Sequence, residues 1–453
     1  MKLLWIGLFS MILFVSCIND AQKQADNQSD EQQVTEKQIF NAPDWTRNAN
    51  IYEVNLRQYT EEGTLKAFAK ELPRLSEMGV DILWFMPIHP IGEKNRKGTL
   101  GSYYAVKDYK AVNPEFGSFE DFKMVVDEAH ELGMFVILDW VANHTAWDNV
   151  WVESNPEFYE KDENGEFISP FDWTDVIALD YSNQEMREKM IDALTFWITE
   201  ADIDGYRCDV ASEVPTEFWE KTRPELQAIK PVFMLAESEQ PDLLEAAFDM
   251  NYGWEFHHIM NQVAKGEKNV KNILDYLERE NAKIPERAYM MYFITNHDEN
   301  SWNGTIKERL GDAEEAMAVL SWTLGGMPLI YSGQEAGNEK RLEFFEKDAI
   351  NWKDFPKADF YTTLNQLKHN EPAIWNGTYG GAFEVVSTNH PDKILSFKKV
   401  KDDEEILVVL NLSEENLSFN YSLNDYESLI NKGLNIDKAQ VELDAWAYGI
   451  FKN

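Results

Sequence analysis

From Asn50 onward the chain alternates short apolar runs with longer amphipathic ones, and it does so eight times, which leaves few folds open. The short runs read as strands over residues 51–54, 82–86, 135–139, 205–209, 232–237, 247–250, 291–295 and 328–332. Helical periodicity fills the intervals at 65–78, 119–132, 184–199, 217–228, 270–279 and 313–323. Repeated strand-then-helix units predict an α/β chain closed into a (β/α)8 barrel of the TIM type, with reactive groups at the C-terminal ends of the strands. The barrel is expected over 46–369. Residues 144–182 break the rhythm, being rich in Asn, Asp, Glu and Trp, and read as a subdomain inserted after strand 3 that shapes a binding cleft. Beyond residue 370 the long helices stop. Short alternating runs at 382–387, 394–399, 406–412, 417–420 and 445–451 predict a C-terminal antiparallel β-sandwich domain over 370–453.

The N-terminus has a different character. Lys2 is followed by an apolar run, 3–15, too short to span a bilayer comfortably and built like a secretory signal. It ends in Phe14-Val15-Ser16-Cys17, which resembles a bacterial lipoprotein cleavage site with Cys17 as the lipidated residue. On that reading 1–16 is a signal peptide, and 17–45 is a polar tether holding an exported protein to the periplasmic side or the surface of a bacterial membrane.

Composition excludes other classes. With 453 residues and a net charge of −38, the chain is a poor partner for nucleic acid, and any membrane contact would run through the lipid anchor alone. Its two cysteines, Cys17 and Cys208, provide no disulfide framework, and no Cys/His cluster suggests zinc. Oligomeric state stays open.

The chemistry lies where the strands end. In Gly205-Tyr206-Arg207-Cys208-Asp209, positions two apart on a strand share a side, so Arg207 and Asp209 should stand together, with the guanidinium holding Asp209 ionised. An isolated pair of this kind is usually structural. Here it keeps company with Asp139, Asn143 and His144 after strand 3, Glu237 after strand 5, and His297 and Asp298 after strand 7. An ionised, hydrogen-bonded carboxylate at a strand end can act as a nucleophile, and it needs an acid partner a few ångströms away.

Asp139-x-Val141-x-Asn143-His144, Gly205-Tyr206-Arg207-x-Asp209, Glu237 and Asn296-His297-Asp298 resemble, in order, the four signature segments of the α-amylase-type glycoside hydrolases. Residues 79–88 and 326–335 are similar to that family's second- and eighth-strand segments. The resemblance implies Asp209 as nucleophile, Glu237 as acid/base and Asp298 as transition-state stabiliser. It implies substrate contacts for Arg207, His144, His297, Tyr104, Asp139 and Glu213, with Tyr104 stacking on the reacting ring. It also implies a retaining hydrolase of α-glucosidic bonds, α-1,4 with α-1,6 as a further option, in starch, maltodextrins or related oligosaccharides. A transglycosylase or isomerase of α-glucosides, and a non-catalytic glycan-binding surface protein, are the alternatives.

Several positions narrow the substrate. Gly101 stands where exo-acting relatives carry an aspartate, which favours endo or oligosaccharide cleavage. The run Asp209-Val210-Ala211-Ser212-Glu213-Val214 is similar to the neopullulanase and cyclomaltodextrinase branch, in which a glutamate at Glu213 favours transfer to sugar acceptors. Calcium is a candidate structural cofactor, with Asn143, Asp175 and Asp180 as its ligands, although Glu213 replaces the histidine whose backbone contributes in calcium-binding members.

Overall fold

The computed structural model describes residues 37–423, 425–437 and 440–453; the signal segment, Cys17 and most of the tether lie outside them. Eight parallel strands close a barrel in the order β1-β8-β7-β6-β5-β4-β3-β2. They are β1 (Ile51–Val54), β2 (Ile82–Phe85), β3 (Phe135–Trp140), β4 (Gly205–Cys208), β5 (Phe233–Ala236), β6 (Met250–Tyr252), β7 (Tyr289–Tyr292) and β8 (Met327–Tyr331). Two differ from expectation. The sixth strand begins where 247–250 was to end, and the seventh starts two residues before 291. Buried apolar residues adjoin each strand, Ala247 and Phe248 before the sixth and Phe293 and Ile294 after the seventh, so hydrophobicity alone misplaces the boundary.

Side-chain alternation builds the interior. Ile51, Ile82, Ile137, Phe233, Met250 and Met327 pack together inside the barrel with Trp84, Leu235, Tyr252, Met291 and Leu329. Two residues further along several strands the same inward side turns polar, at Glu53, Asp139, Arg207 and Glu237. The apolar floor and the ionic mouth therefore come from one period-2 pattern. Gly205 has a specific reason to be glycine: a Cβ there would stand 1.9 Å from the Phe233 carbonyl oxygen. The floor is stoppered from before β1. Ala42 is buried and Trp45 stacks on Phe135, so the ordered domain begins ahead of residue 45, the expected end of the tether.

After β3, His144–Ala146 pairs antiparallel with Val176–Ala178, and helix Val150–Ser154 lies between them. The C-terminal region forms β9 (Ala382–Val385), β10 (Ile394–Lys401), β11 (Glu404–Asn411), β12 (Leu417–Asn420), β13 (Glu427–Asp437) and β14 (Gln440–Lys452). These strands, expected to make a sandwich, form one hydrogen-bonded antiparallel sheet. β14 is shared by all of its second half, pairing with β13 along one edge and with β11 and then β12 along the other. Ile406, Val408 and Leu410 face the barrel core, while Leu407 and Val409 close a separate small core with Phe419 and Val441. Residues Ile39–Asn453 make one compact unit.

Candidate active site

Arg207 is fully buried and organises the mouth. Its Nη1 donates to Asp139 Oδ1 at 2.8 Å and to Asp209 Oδ1 at 2.9 Å, and its Nε donates to the Tyr252 hydroxyl at 3.0 Å. Nη2 lies 2.9 Å from Glu237 Oε2, an ion contact without the angle of a hydrogen bond. The neighbourhood predicted from the i, i+2 spacing is thus present, and one planar fork holds Asp209 and Glu237 side by side.

Glu237 has a second anchor. Val210, directly after Asp209, sits in the left-handed region at φ 36°, where a β-branched residue is strained, and its N–H donates to Glu237 Oε2 at 2.9 Å. The strain is local to the reacting carboxyls, and its product is an N–H aimed at one of them.

The third acid follows β7. Asp298 Oδ2 is 3.3 Å from His297 Nε2. His297 is fixed from both sides: its Nδ1 meets Glu53 and its Nε2 meets the Tyr104 hydroxyl at 2.8 Å. Tyr104 in turn donates to Asp139 Oδ2 at 3.0 Å and stacks on His297. A cleft of about 430 Å³ is lined by Asp209, Glu237, Asp298, His144, His297 and Tyr104, a size suited to a small ligand. Its walls carry aromatic faces, Trp173 on the inserted side and Trp302 with Phe344 opposite, the surfaces that apolar sugar faces stack on.

Electrostatics follow from a count. Five carboxyl groups, Glu53, Asp139, Asp209, Glu237 and Asp298, share Arg207 and His297 as cations. Burial raises Glu237, with Arg207 opposing it and Asp209 adding to the rise. Burial also raises Asp298 and Glu53, and takes Asp139 up to about 7. Asp209 is raised by burial too, against Arg207. The expectation that arginine alone would keep it low is thus tempered, because the guanidinium's charge is divided among three acids. His297 is raised to about 9: burial pushes it down, but Asp298 and Glu53 together push it further up. His144 is lowered to about 4 by burial and is neutral at the cleft wall.

Other candidates lie elsewhere. Asp139 and Arg207 are wholly buried and do not line the cleft, so they position other groups rather than touch sugar. Glu213 is exposed, its N–H donates to the carbonyl of cleft-lining Val210 at 2.8 Å, and it lines a second cavity together with Asn143. Of the calcium candidates, Asn143 lies beside the 179–180 segment, its carbonyl accepting the Leu179 N–H at 3.1 Å. Asp175 faces the cleft and pairs with Lys97 Nζ at 2.9 Å, while Asp180 Oδ1 accepts the Ser182 N–H in a turn. Among the described residues no group of three or more His, Cys, Asp or Glu side chains is placed to hold a metal. Sequence reasoning missed Glu53, Tyr252, Trp84, Trp302 and Phe344. Of these only Glu53 left a signal, a carboxylate inside a four-residue strand that is otherwise uncharged.

Paired acids on a buried arginine, at the C-terminal rim of a (β/α)8 barrel and inside an aromatic-walled cleft, define a glycoside hydrolase. The family profile Alpha-amylase (alpha amylase, catalytic domain) matches residues 23–176 and 157–342. The chain belongs to this alpha-amylase family. It is similar to the alpha-amylase MalA of Haloarcula japonica, 27% identical over 84% of this chain, though the match spans only 58% of that protein. It is similar to neopullulanase 2 of Thermoactinomyces vulgaris, 26% identical over 83% of this chain and 71% of the other. A crystal structure of an alpha-amylase from Lactobacillus plantarum has a TM-score of 0.81 and 30% identity, covering 90% of this chain and 99% of that one.

Proposed function

We propose that the protein hydrolyses α-glucosidic bonds in starch-derived glucans by double displacement with retention. The observation that carries this is the shared grip of Arg207 on Asp209 and Glu237. A retaining pair needs its carboxyls about 5–5.5 Å apart, close enough for one to attack while the other gives its proton. The pair is asymmetric. Asp209 accepts an aligned hydrogen bond from the guanidinium, which favours its charged form. Glu237 lacks that bond and has the charge of Asp209 beside it, so the proton resides on Glu237. Asp209 attacks the anomeric carbon as the C–O bond to the leaving sugar breaks, and Glu237 protonates the departing oxygen. Glu237 then takes a proton from the water that opens the glycosyl ester. Asp298, with His297 held as a cation, faces the ring on which positive charge develops.

Glu237→Gln tests the chemistry: turnover should fall at least about 10³-fold with binding nearly intact, and unchanged turnover would refute the assignment. Product analysis on amylose, pullulan and cyclodextrin side by side tests the linkage, with α-1,4 cleavage expected. The transfer reading stays as the alternative, and products longer than the substrate at high maltose would favour it. We infer also that the protein is exported and anchored through Cys17, which the Cys17→Ser variant tests by release from the membrane fraction. No step is assigned to calcium.

A further inference from the structure

Lys399 sits on β10 with 5% of its surface exposed, yet its ammonium has no hydrogen bond and no carboxylate partner. In a chain with 80 acidic residues against 42 basic ones, an uncompensated buried cation is an exception that needs a reason. A second lysine lies close enough to repel it. Lys368 is fully buried, and its Nζ donates to the carbonyls of Gly326 and Ile374 at 3.0 and 2.6 Å, again with no acid. Burial takes Lys399 down to about 8.

The Lys399 side chain points into a cavity of about 290 Å³ between the C-terminal sheet and the N-terminal ends of β7 and β8, at the opposite end of the barrel from the catalytic mouth. The walls are apolar. Phe383 is the cross-strand partner of Lys399 and so lies on the same face. Tyr289, Tyr292, Leu277 and Ile284 supply the remainder. Gly325, at φ 94°, keeps the space above the ammonium open; a Cβ there would stand 3.1 Å from Nζ. The acids among the lining residues, buried Glu280 and exposed Glu286, do not pair with Lys399; Glu280 pairs with Arg279 and Lys283 instead.

We propose that this cavity is a binding site for a monocarboxylate with an apolar chain or ring, its carboxylate on Lys399 Nζ and its body against Phe383, Tyr289 and Leu277. One positive head at the end of an aromatic and aliphatic pocket matches such a ligand in charge and polarity. The site is separate from glucan cleavage.

Calorimetric titration of the full chain with octanoate, acetate and inorganic phosphate tests it. Saturable one-to-one binding of octanoate is expected, at least about tenfold tighter than acetate or phosphate. Lys399→Met should weaken octanoate binding by at least about tenfold, and Phe383→Ala should weaken it by several-fold. Both variants should hydrolyse amylose at the wild-type rate. Absence of saturable octanoate binding by the wild-type protein, equal binding by Lys399→Met, or phosphate binding as tight as octanoate would each overturn the proposal. The wild-type comparison of the three anions stands even if a variant fails to fold.

Discussion

Two of the wholly buried arginines, Arg207 and Arg223, are used in opposite ways. Arg223, on helix Thr216–Gln227, makes a bidentate pair with Asp249, Nη1 to Oδ2 at 2.8 Å and Nη2 to Oδ1 at 3.2 Å. Its remaining donors reach the carbonyls of Ala247 and Val232, and Asp249 also accepts the Met234 N–H. One cation meets one anion just ahead of β6, and nearly every donor is used. Arg207, at the other end of the barrel, is spread over Asp139, Asp209 and Glu237, with Asp298 and Glu53 close by. The first arrangement is self-neutral and holds a helix to the sheet. The second leaves negative charge in excess, which keeps a proton available where a bond must be broken. Burial of an arginine therefore says little by itself; the ratio of acids to cations around it separates scaffold from chemistry.

The sharpest way to break this comparison is to remove one acid from the crowded end. Asp209→Asn should lower turnover at least about 10³-fold and raise Tm, since it relieves like-charge repulsion. A variant that lost both activity and stability would place Asp209 with the scaffold. At the balanced end, Arg223→Met should leave Asp249 buried without its partner. A cost of about 3–5 kcal/mol in urea unfolding is expected, with turnover per folded molecule unchanged. Asp139→Asn gives a pH signature. Asp139 is raised to about 7 in the folded state, above its ordinary range, so its contribution to stability is present at acid pH and lost as pH rises through 7. The Tm advantage of the variant over wild type should be near zero at about pH 4 and largest at about pH 8; a constant difference would mean Asp139 is ionised throughout. The smallest effect expected is that of metal removal. EDTA dialysis should shift Tm by less than about 1 °C, and a larger, calcium-reversible loss would show a cation site that Asn143 and Asp180 complete with backbone oxygens.

The barrel was legible because its strands are continuous apolar runs, as strands covered on both faces must be. The proposed catalytic trio was legible because each member follows a strand. Depth was harder to read. Asp139 and Glu237 both end apolar strands, yet one is sealed behind Arg207, Trp84 and Tyr104 while the other lines the cleft, and only neighbours distant in the chain decide which. Helix Trp254–Ala264 was missed because a single residue, Gly253, separates it from β6, leaving no loop to mark the change of period. β13 was missed because it is mostly exposed and polar, with no alternation to betray it. Lys399 looks in sequence like any lysine near the end of a strand; its isolation exists only in three dimensions.

The sharing of β14 has a consequence for how the chain acquires its shape. Strands β11, β12 and β13 are all translated before β14, and each relies on it for an edge. Strands β9, β10 and β11 can pair with one another as the polypeptide emerges, whereas β12 and β13 have no strand partner until β14. Deleting β14 would leave β12 and β13 unpaired and would strip one edge from β11.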